Sequence, residues 1–289
     1  MTPHAPSMEE LQERRALECR LTPGRALETL DEAEEFLLDR GLLTRTADSA
    51  LPSLFEACHE EPYAPDKPGF GQWPRTKFPW FGELGARGYP ILAVHRGKSL
   101  LITPAVARLL DPICRAEIER MADADPDWER LLQHLADAGP SELEDLQTEL
   151  GLKPKELKKL RSPLERCGAI VSRSIVYEDP HRHTSELTRW DDVFPERTGG
   201  VTAAARQSRA TASSKGKRRF PLELPLPKLP VETALAELIV AGVRAAVVAP
   251  EPELPRWFSW QWYWEDDLVD RLVNEGRLAR PEPGWVALP

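Results

Sequence analysis

The sequence predicts an α+β fold, mostly helical, in which groups of helices are each followed by a β-hairpin. Two observations predict it. Apolar residues recur at helical spacing along much of the chain, and β-forming runs separated by short glycine-containing turns follow these helices. With 41% hydrophobic and 29% charged residues among 289, the chain belongs to the globular class, and its length allows two to three domains.

The middle of the chain shows this order most clearly. A leucine repeat predicts a short amphipathic helix over Ser141–Leu150. We expect Ser141 to be its N-cap, with Glu144 completing a capping box. Gly151 ends this helix, and Pro154 begins the next one, where its missing N–H is not needed.

The helix that begins at Pro154 has two unlike sides. We expect Pro163 to bend or end it near Ser162, because proline removes a backbone hydrogen bond. After Gly168, β-forming residues predict a strand over Ile170–Tyr177. The inner side of the helix carries apolar residues, which are Leu157, Leu160, Leu164 and Cys167.

Helix, glycine turn, basic helix and strands follow one another as in a winged helix-turn-helix, whose second helix enters the major groove of DNA. From Lys153 to Arg166 the chain has four Lys and two Arg against two Glu, a net charge of +4. We therefore predict that this helix binds double-stranded DNA. The alternative is a solvated helix face on a protein–protein adaptor. The residues expected to contact phosphates or base edges are Lys153, Lys155, Lys158, Lys159 and Arg161.

The overall composition sets limits on this interpretation. A net charge of −9 argues against a basic field over the whole protein, so DNA contacts must be local. No apolar run reaches the roughly 18 residues of a membrane span, and the N-terminus lacks the apolar core of a signal peptide. We expect a cytoplasmic protein without a cofactor or membrane contact. The four cysteines form no CxxC pair, so we interpret them as buried thiols.

The first third of the chain predicts a second helical group. Residues 1–22 form a helical or frayed leader that is expected to bury little. An amphipathic helix follows and ends at Gly41, and short helices are predicted at 52–58 and Trp80–Ala86. Between these two, residues 60–79 are rich in Pro and Gly, and their interleaved aromatic residues predict an ordered loop.

A hairpin is predicted at Tyr89–Thr103. Its tip is basic, and Arg96 and Lys98 are weaker candidates for DNA contact; the alternative is an ordinary solvated turn. Pro104 is expected to start a helix to Met121.

Asp127 is expected to cap the first helix of the central group. That group ends in a second hairpin, whose return strand is predicted at Thr184–Trp190 and whose Arg173 and Arg182 are further DNA candidates. At its tip Asp179, His181 and His183 are at most incomplete metal ligands, so we predict no metal site. A tip that faces nucleic acid and a plain surface both remain open.

The C-terminal part repeats the order after a linker at 198–229. The basic residues of this linker (Lys215, Lys217, Arg218 and Arg219) are either a tether to the DNA backbone or a solubilising segment. A helix is predicted from Val231 to Gly242, with two shorter ones at 252–257 and 264–274. The last of these carries acidic residues, so this copy is expected to pack or orient rather than bind DNA. The aromatic cluster at 257–264 is expected to be mostly core.

Several of these landmarks together resemble the winged-helix superfamily of AlkZ (YcaQ-type) DNA glycosylases, loosely and over residues 25–289. The landmarks are the 52–57 segment PSLFEA, the helix start WFGEL at 80–84, the hairpin end LIT at 101–103, the central LGL at 150–152, and WFSW at 257–260. The resemblance implies three tandem winged-helix modules with a concave DNA-binding surface. It also implies that characterised members excise alkylated or crosslinked bases.

The sequence departs from this family at the chemistry. Those glycosylases use a Gln-x-Gln or Gln-x-Asp motif to position the attacking water, and no glutamine here is followed two residues later by Gln or Asp. No catalytic residue carries over. A carboxylate could take that role, and the weak candidates are Glu56 and Glu83.

The sequence thus predicts a leader (1–22), a first winged-helix-like domain (23–122), a central winged helix-turn-helix domain (123–197), the linker (198–229) and a C-terminal winged-helix domain (230–289). The leading hypothesis is a DNA-binding protein related to repair glycosylases. An active glycosylase with an altered catalytic carboxylate, and a winged-helix transcription regulator or protein adaptor, are the alternatives.

Overall fold

The computed structural model describes residues 6–177, 182–195 and 229–289. These ranges form an α+β protein in which helices predominate and the strands make three small antiparallel sheets. Asp179, His181 and the basic linker residues lie outside the described ranges. No helix within those ranges combines the length and apolarity that crossing a bilayer requires.

The first unit contains one three-stranded sheet in the order β1-β3-β2. A tight turn at Arg96-Gly97, both with positive φ, joins β2 to β3. Such a turn matches the twist of an antiparallel pair. The elements are α1 (Met8–Glu18), α2 (Leu30–Arg40), β1 (Leu42–Thr44), α3 (Leu54–Ala57), α4 (Trp80–Ala86), β2 (Ile91–His95) and β3 (Lys98–Ile102), with a 3₁₀ turn at Pro23–Arg25.

The central unit has the same element order, and its sheet again places the last strand in the middle, as β4-β6-β5. The long helix α5 connects the two units. The elements are α5 (Pro104–Ala124), α6 (Pro126–Ala138), β4 (Ser141–Glu142), α7 (Leu143–Leu150), α8 (Pro154–Cys167), β5 (Ile170–Tyr177), β6 (Arg182–Arg189) and the short α9 (Trp190–Val193).

The third unit is a reduced version of this order. Strands β7 and β8 pair antiparallel. In the other units the last strand pairs with a second full strand, whereas here β8 has only a single bridge, from Ala287 to Ala279, on that side. The elements are α10 (Val231–Ala246), β7 (Val248–Pro250), 3₁₀ helices at Glu251–Arg256 and Gln261–Tyr263, α11 (Leu268–Asn274) and β8 (Trp285–Ala287).

One continuous apolar core runs through all three units. It joins β2 and β3 of the first unit to α5, α8 and α10, and α5 packs lengthwise against α10. A second cluster lies between α2, α3 and α4. All four cysteines are buried and free, as predicted.

The leader was expected to bury little, and this is wrong. Leu11 and Cys19 are buried against Val247, Val248 and Ala287 of the third unit. Arg15 strengthens the contact by donating to the carbonyls of Ala50 at 2.7 Å and Ala246 at 2.8 Å. Helix α1 therefore closes the first unit onto the third.

Two predicted N-caps were also wrong. Ser141 lies in β4 and its hydroxyl donates to the carbonyl of Gly139, so α7 begins only at Leu143. Strand pairing with Leu187, far along the chain, fixes this segment as extended. Helix α6 is capped by Asp125 rather than Asp127, and Pro126 takes its first position.

Helix α8 continues through Pro163 to Cys167 and has Gly168 as its C-cap, so this proline does not end the helix. Two predicted helix ends differ from the structure. Helix α5 runs beyond Met121 to Ala124. Gly242 does not end α10, because it is a contact position: a Cβ there would lie 2.7 Å from Cζ3 of Trp257.

Candidate nucleic-acid interface

Helix α8 is held so that one side faces the core and the other faces solvent. At about 100° per residue, Lys155, Lys158 and Lys159 fall within an arc of about 100°, opposite the buried Leu157 and Leu164. Pro154 occupies the first position of the helix, where a backbone N–H is not needed. Its first turn is capped where the Glu156 carboxylate accepts the backbone N–H of Lys153 at 2.8 Å.

Four of the five predicted contact residues are available to a ligand. Lys153, Lys155, Lys158 and Lys159 are exposed. Across the described ranges none of these four ammonium groups has an ion-pair partner, whereas Lys77 and Lys98 are both paired. Four unpaired cations therefore lie on the N-terminal half of α8 and on the turn before it.

Arg161, the fifth, points to the side of this face. Its guanidinium pairs with Glu165 at 3.2 Å, and both side chains are mostly buried. Burial raises the pKa of Glu165, and the neighbouring arginine opposes that rise. This pair braces the helix against the sheet and adds no free charge to the exposed face.

The central hairpin holds its arginines in ion pairs. Arg173 pairs with Glu186 across the strands at 2.6 Å. Arg182 pairs with Glu142 and Glu144 and stacks over the ring of Tyr177 at 4.7 Å. Both arginines therefore already satisfy carboxylates of their own unit.

The tip of the first hairpin is exposed, but its two cations are held by other parts of the protein. Arg96 donates to the carbonyls of Arg256 at 3.0 Å and Asp48 at 2.8 Å. Lys98 pairs with the Asp48 carboxylate. Arg96 and Lys98 hold this tip to the third unit and to the 45–50 loop, a long-range contact that no local sequence pattern announces.

Next to this tip lies a fully buried histidine. His95 Nδ1 donates to the Trp257 carbonyl at 2.6 Å, which leaves Nε2 without a partner. Burial lowers the pKa of His95, which disfavours the charged form of the ring. The Ser259 hydroxyl and backbone N–H both donate to the Val94 carbonyl, at 3.0 and 2.9 Å. We call this contact between residues 94–95 and residues 257–259 the seam.

The C-terminal end of α8 meets this seam. The Trp260 indole N–H donates to the Cys167 carbonyl at 2.9 Å. Gly168, with φ +80°, lies so close to the core that a Cβ would be 2.6 Å from the Cys114 sulfur. Arg166 lies across the hairpin turn at Gly97. The C-terminal end of α8 is therefore held by packing, while the lysines at its N-terminal end remain exposed.

Two buried carboxylates on α5 were missed by the sequence analysis. Asp111 accepts hydrogen bonds from Arg115 and from the Trp190 indole. Glu117 is fully buried and accepts from Arg120 and from the half-exposed Trp262. Each carboxylate thus connects α5 to another part of the protein. In the sequence, the only sign of these ion pairs was an arginine four residues after Asp111 and three residues after Glu117.

Helix α11 begins only at Leu268, so of the acidic residues in the helix predicted at 264–274 it contains Asp270 alone. Arg271 pairs with Glu265, and Asp270 pairs with Arg280, each at 2.6 Å. Most of the nearby aromatic cluster is core, as expected: Trp257, Phe258 and Trp260 are buried, and Tyr263 and Trp264 pack against them partly buried. The third unit therefore contributes most of these rings to the core.

The two weak catalytic candidates are both surface residues. Glu56 is exposed on α3, beside an open cleft that it shares with His59, Glu60 and Gln72. Glu83 is exposed on α4. Among the residues that the structure describes, no group of three or more His, Cys, Asp and Glu is arranged to hold a metal ion.

The fold of this chain is similar to that of a DNA glycosylase of known structure. That glycosylase is AlkZ of Streptomyces sahachiroi, which is similar with a TM-score of 0.55 over 99% of this chain and 70% of AlkZ, at 13% sequence identity. The likeness shows a shared fold. No protein-family profile matches the chain, and no curated protein sequence does either.

Proposed function

We propose that this protein binds double-stranded DNA through the N-terminal half of α8, and that its three units are tandem winged helices. The observation that carries the proposal is a set of four exposed lysines that are unpaired within the described ranges. Three of them share one face of the second helix of a helix-turn-helix pair, and Lys153 lies on the turn before it. In such a pair the first residues of the second helix contact DNA.

The strand order supports the winged-helix interpretation. In the first and central units a helix, a short strand and two further helices precede a hairpin, and the last strand lies in the centre of the sheet. The central hairpin then takes the place of the wing. The similar fold of a DNA glycosylase is consistent with a role in DNA repair.

Local charge is enough for such binding despite the acidic chain. Each phosphate neutralised by a lysine releases a condensed counterion, so affinity depends on the number of close contacts and falls with salt. Arg161, Arg173 and Arg182 are ion-paired, so among the predicted contact residues of the central unit only the four lysines carry unpaired charge within the described ranges. Base excision is not part of the proposal, because Glu56 and Glu83 are exposed helix-surface residues in a chain without the glutamine motif.

The proposal is tested by a salt titration of binding to a labelled duplex, followed by fluorescence anisotropy. The triple variant Lys155→Gln, Lys158→Gln, Lys159→Gln should bind more weakly. The slope of log affinity against log salt should fall by about 2 to 3, near 0.9 for each lost phosphate contact. The matched control replaces three exposed arginines elsewhere that have no ion pair within the described ranges, Arg25, Arg244 and Arg256, with glutamine and should keep the slope.

Two results would contradict the proposal. One is a wild-type protein that does not bind duplex DNA at low salt. The other is an equal loss of affinity in the lysine variant and the arginine control, since that would reflect total charge and not the α8 face. The first result would favour the protein-adaptor alternative, in which this face meets an acidic protein surface.

A further inference from the structure

Residues 60–79, which join α3 to α4, form an ordered projection that we call the finger. Its base is closed by a bridge between Pro62 and Pro74 and by the Tyr63 N–H, which donates to the Trp73 carbonyl at 2.7 Å. The Glu60 carboxylate accepts the backbone N–H groups of Thr76 and Lys77, at 2.6 and 3.1 Å. The finger is therefore a built structure, long for a connection between two helices.

A line of aromatic rings runs through the finger from the core to its surface. Buried Phe55 contacts Trp73 with centroids 5.6 Å apart, and Trp73 contacts Phe70 at 4.9 Å. Tyr63 lies 6.4 Å from Phe70. Tyr63 and Phe70 are 53% and 37% exposed, so the line ends in two rings that are held from below and open to solvent.

The place of the finger in the fold relates it to the lysine face. In the central unit, the turn between the second and third helices carries Lys153 and leads into the lysine face of α8. In the first unit the finger stands at that same step, directly before α4. Helix α4 has no basic residue, so the finger is what this unit presents where its counterpart presents lysines.

The charge on the finger fits a contact made by stacking beside a phosphate backbone. Exposed Lys67 begins the turn that ends at Phe70, whose N–H donates to the Lys67 carbonyl at 3.1 Å. Arg75 is also exposed, while Asp66 and Glu61 offset the two cations. A cation beside the rings can pair with the phosphate next to a stacked base. Because the net charge of the finger is near zero, we expect salt to have little effect on the affinity of this contact.

We propose that Tyr63 and Phe70 stack on an unpaired nucleobase in DNA that α8 holds by its phosphates. Every base has a π-face, so aromatic stacking tolerates any sequence and requires only that the base leave the duplex stack. The inference rests on the proposed function, because it assumes that the lysine face binds DNA. It adds a preference for DNA with an unstacked base.

The test compares a perfect duplex with the same duplex carrying one unpaired adenine. Wild type should bind the bulged DNA about tenfold more tightly, in line with base–aromatic stacking. The double variant Tyr63→Ser, Phe70→Ser should lose this preference while keeping its affinity for the perfect duplex and its salt slope. The matched control Leu17→Ser, Leu38→Ser removes two other exposed apolar side chains, 54% and 55% exposed, and should keep the preference.

A second readout uses 2-aminopurine as the unpaired base. Its fluorescence should be quenched by wild type and by the conservative variant Phe70→Trp, and much less by the double serine variant. If wild type binds neither DNA, the proposed function fails. If it binds both DNAs equally, or if the serine variant retains the preference and the quenching, DNA binding stands and the finger inference is overturned.

Discussion

The two ends of α8 have opposite roles. At the N-terminal end, Gly151 makes an open turn and the lysines that follow are exposed and unpaired. At the C-terminal end, Gly168 is buried, Trp260 hydrogen bonds to the last carbonyl, and Arg166 lies across a hairpin from another unit. One end is available for a partner because the other end is fixed by the rest of the protein.

The comparison shows how a marginal local element becomes a rigid contact surface. Helix α8 has an internal proline, and isolated helices of this length are barely stable. Packing of its far end against α5 and the third unit supplies the stability that the exposed lysines do not. Fixed side chains then need less ordering when a ligand binds.

The largest expected effect separates the two glycines. Both have positive φ, so alanine is strained at either site by about 1–2 kcal/mol. Gly168→Ala adds a clash with the Cys114 sulfur and should lose about 2–5 kcal/mol in total, whereas Gly151→Ala should lose only the strain. Urea unfolding of both variants measures the difference, and equal losses would show that the two ends are packed alike.

The next effect concerns the indole that fixes the C-terminal end. Trp260→Phe leaves the buried Cys167 carbonyl without its donor and should destabilise by about 1–3 kcal/mol. Trp262→Phe, at a half-exposed position, should change stability less, because Glu117 keeps its bond to Arg120. Thermal unfolding of the two variants checks this, and the reverse order would contradict the assignment of Trp260 as the anchor.

The stability of the seam, which lies beside the C-terminal end of α8, should depend on pH. The pKa of His95 is lowered by burial, so the folded protein disfavours its charged form. Its contribution to stability is complete above the ordinary histidine pKa of about 6.5 and is lost as pH falls from there through the lowered pKa of the folded state. His95→Asn keeps a donor for the Trp257 carbonyl and removes the titration. Its stability should therefore fall less than that of wild type on acidification, and parallel profiles would exclude His95 as the cause.

The smallest effect is expected in the central hairpin. Arg173→Ala breaks a surface ion pair with Glu186 and should change stability by about 0–1 kcal/mol. Removing Glu186 instead should give a similar small change. Calorimetry of both variants checks it, and a loss above that range would mean that this hairpin is fixed as firmly as the first one.

The sequence was sufficient where a local pattern decides the structure. The bounds of α4 and β5 were predicted correctly as Trp80–Ala86 and Ile170–Tyr177. Each segment lies between residues that favour turns, so its ends can be located from the local sequence. The two-sided character of α8 was also predicted, since the spacing of its leucines and lysines is fixed by helix geometry.

The sequence was insufficient where distant residues decide. Ser141 is a strand residue because it pairs with Leu187. Gly242 lies within a helix, where the absence of a side chain lets the Trp257 ring pack against the backbone. Arg96 and Lys98 were chosen as wing residues from a basic tip, yet their partners lie at Asp48 and Arg256. Which cations remain free is a property of the whole fold, and this limits any list of contact residues drawn from sequence.

The four buried thiols have one more consequence. Burial raises the pKa of Cys19 to about 11 and those of Cys58 and Cys167 to about 12, so none is a ready nucleophile in the folded protein. The four cysteines lie in different parts of the chain: Cys19 after α1, Cys58 after α3, Cys114 within α5 and Cys167 at the end of α8. Reagent labelling followed by peptide mapping would therefore time the opening of each region separately, with no engineered probe.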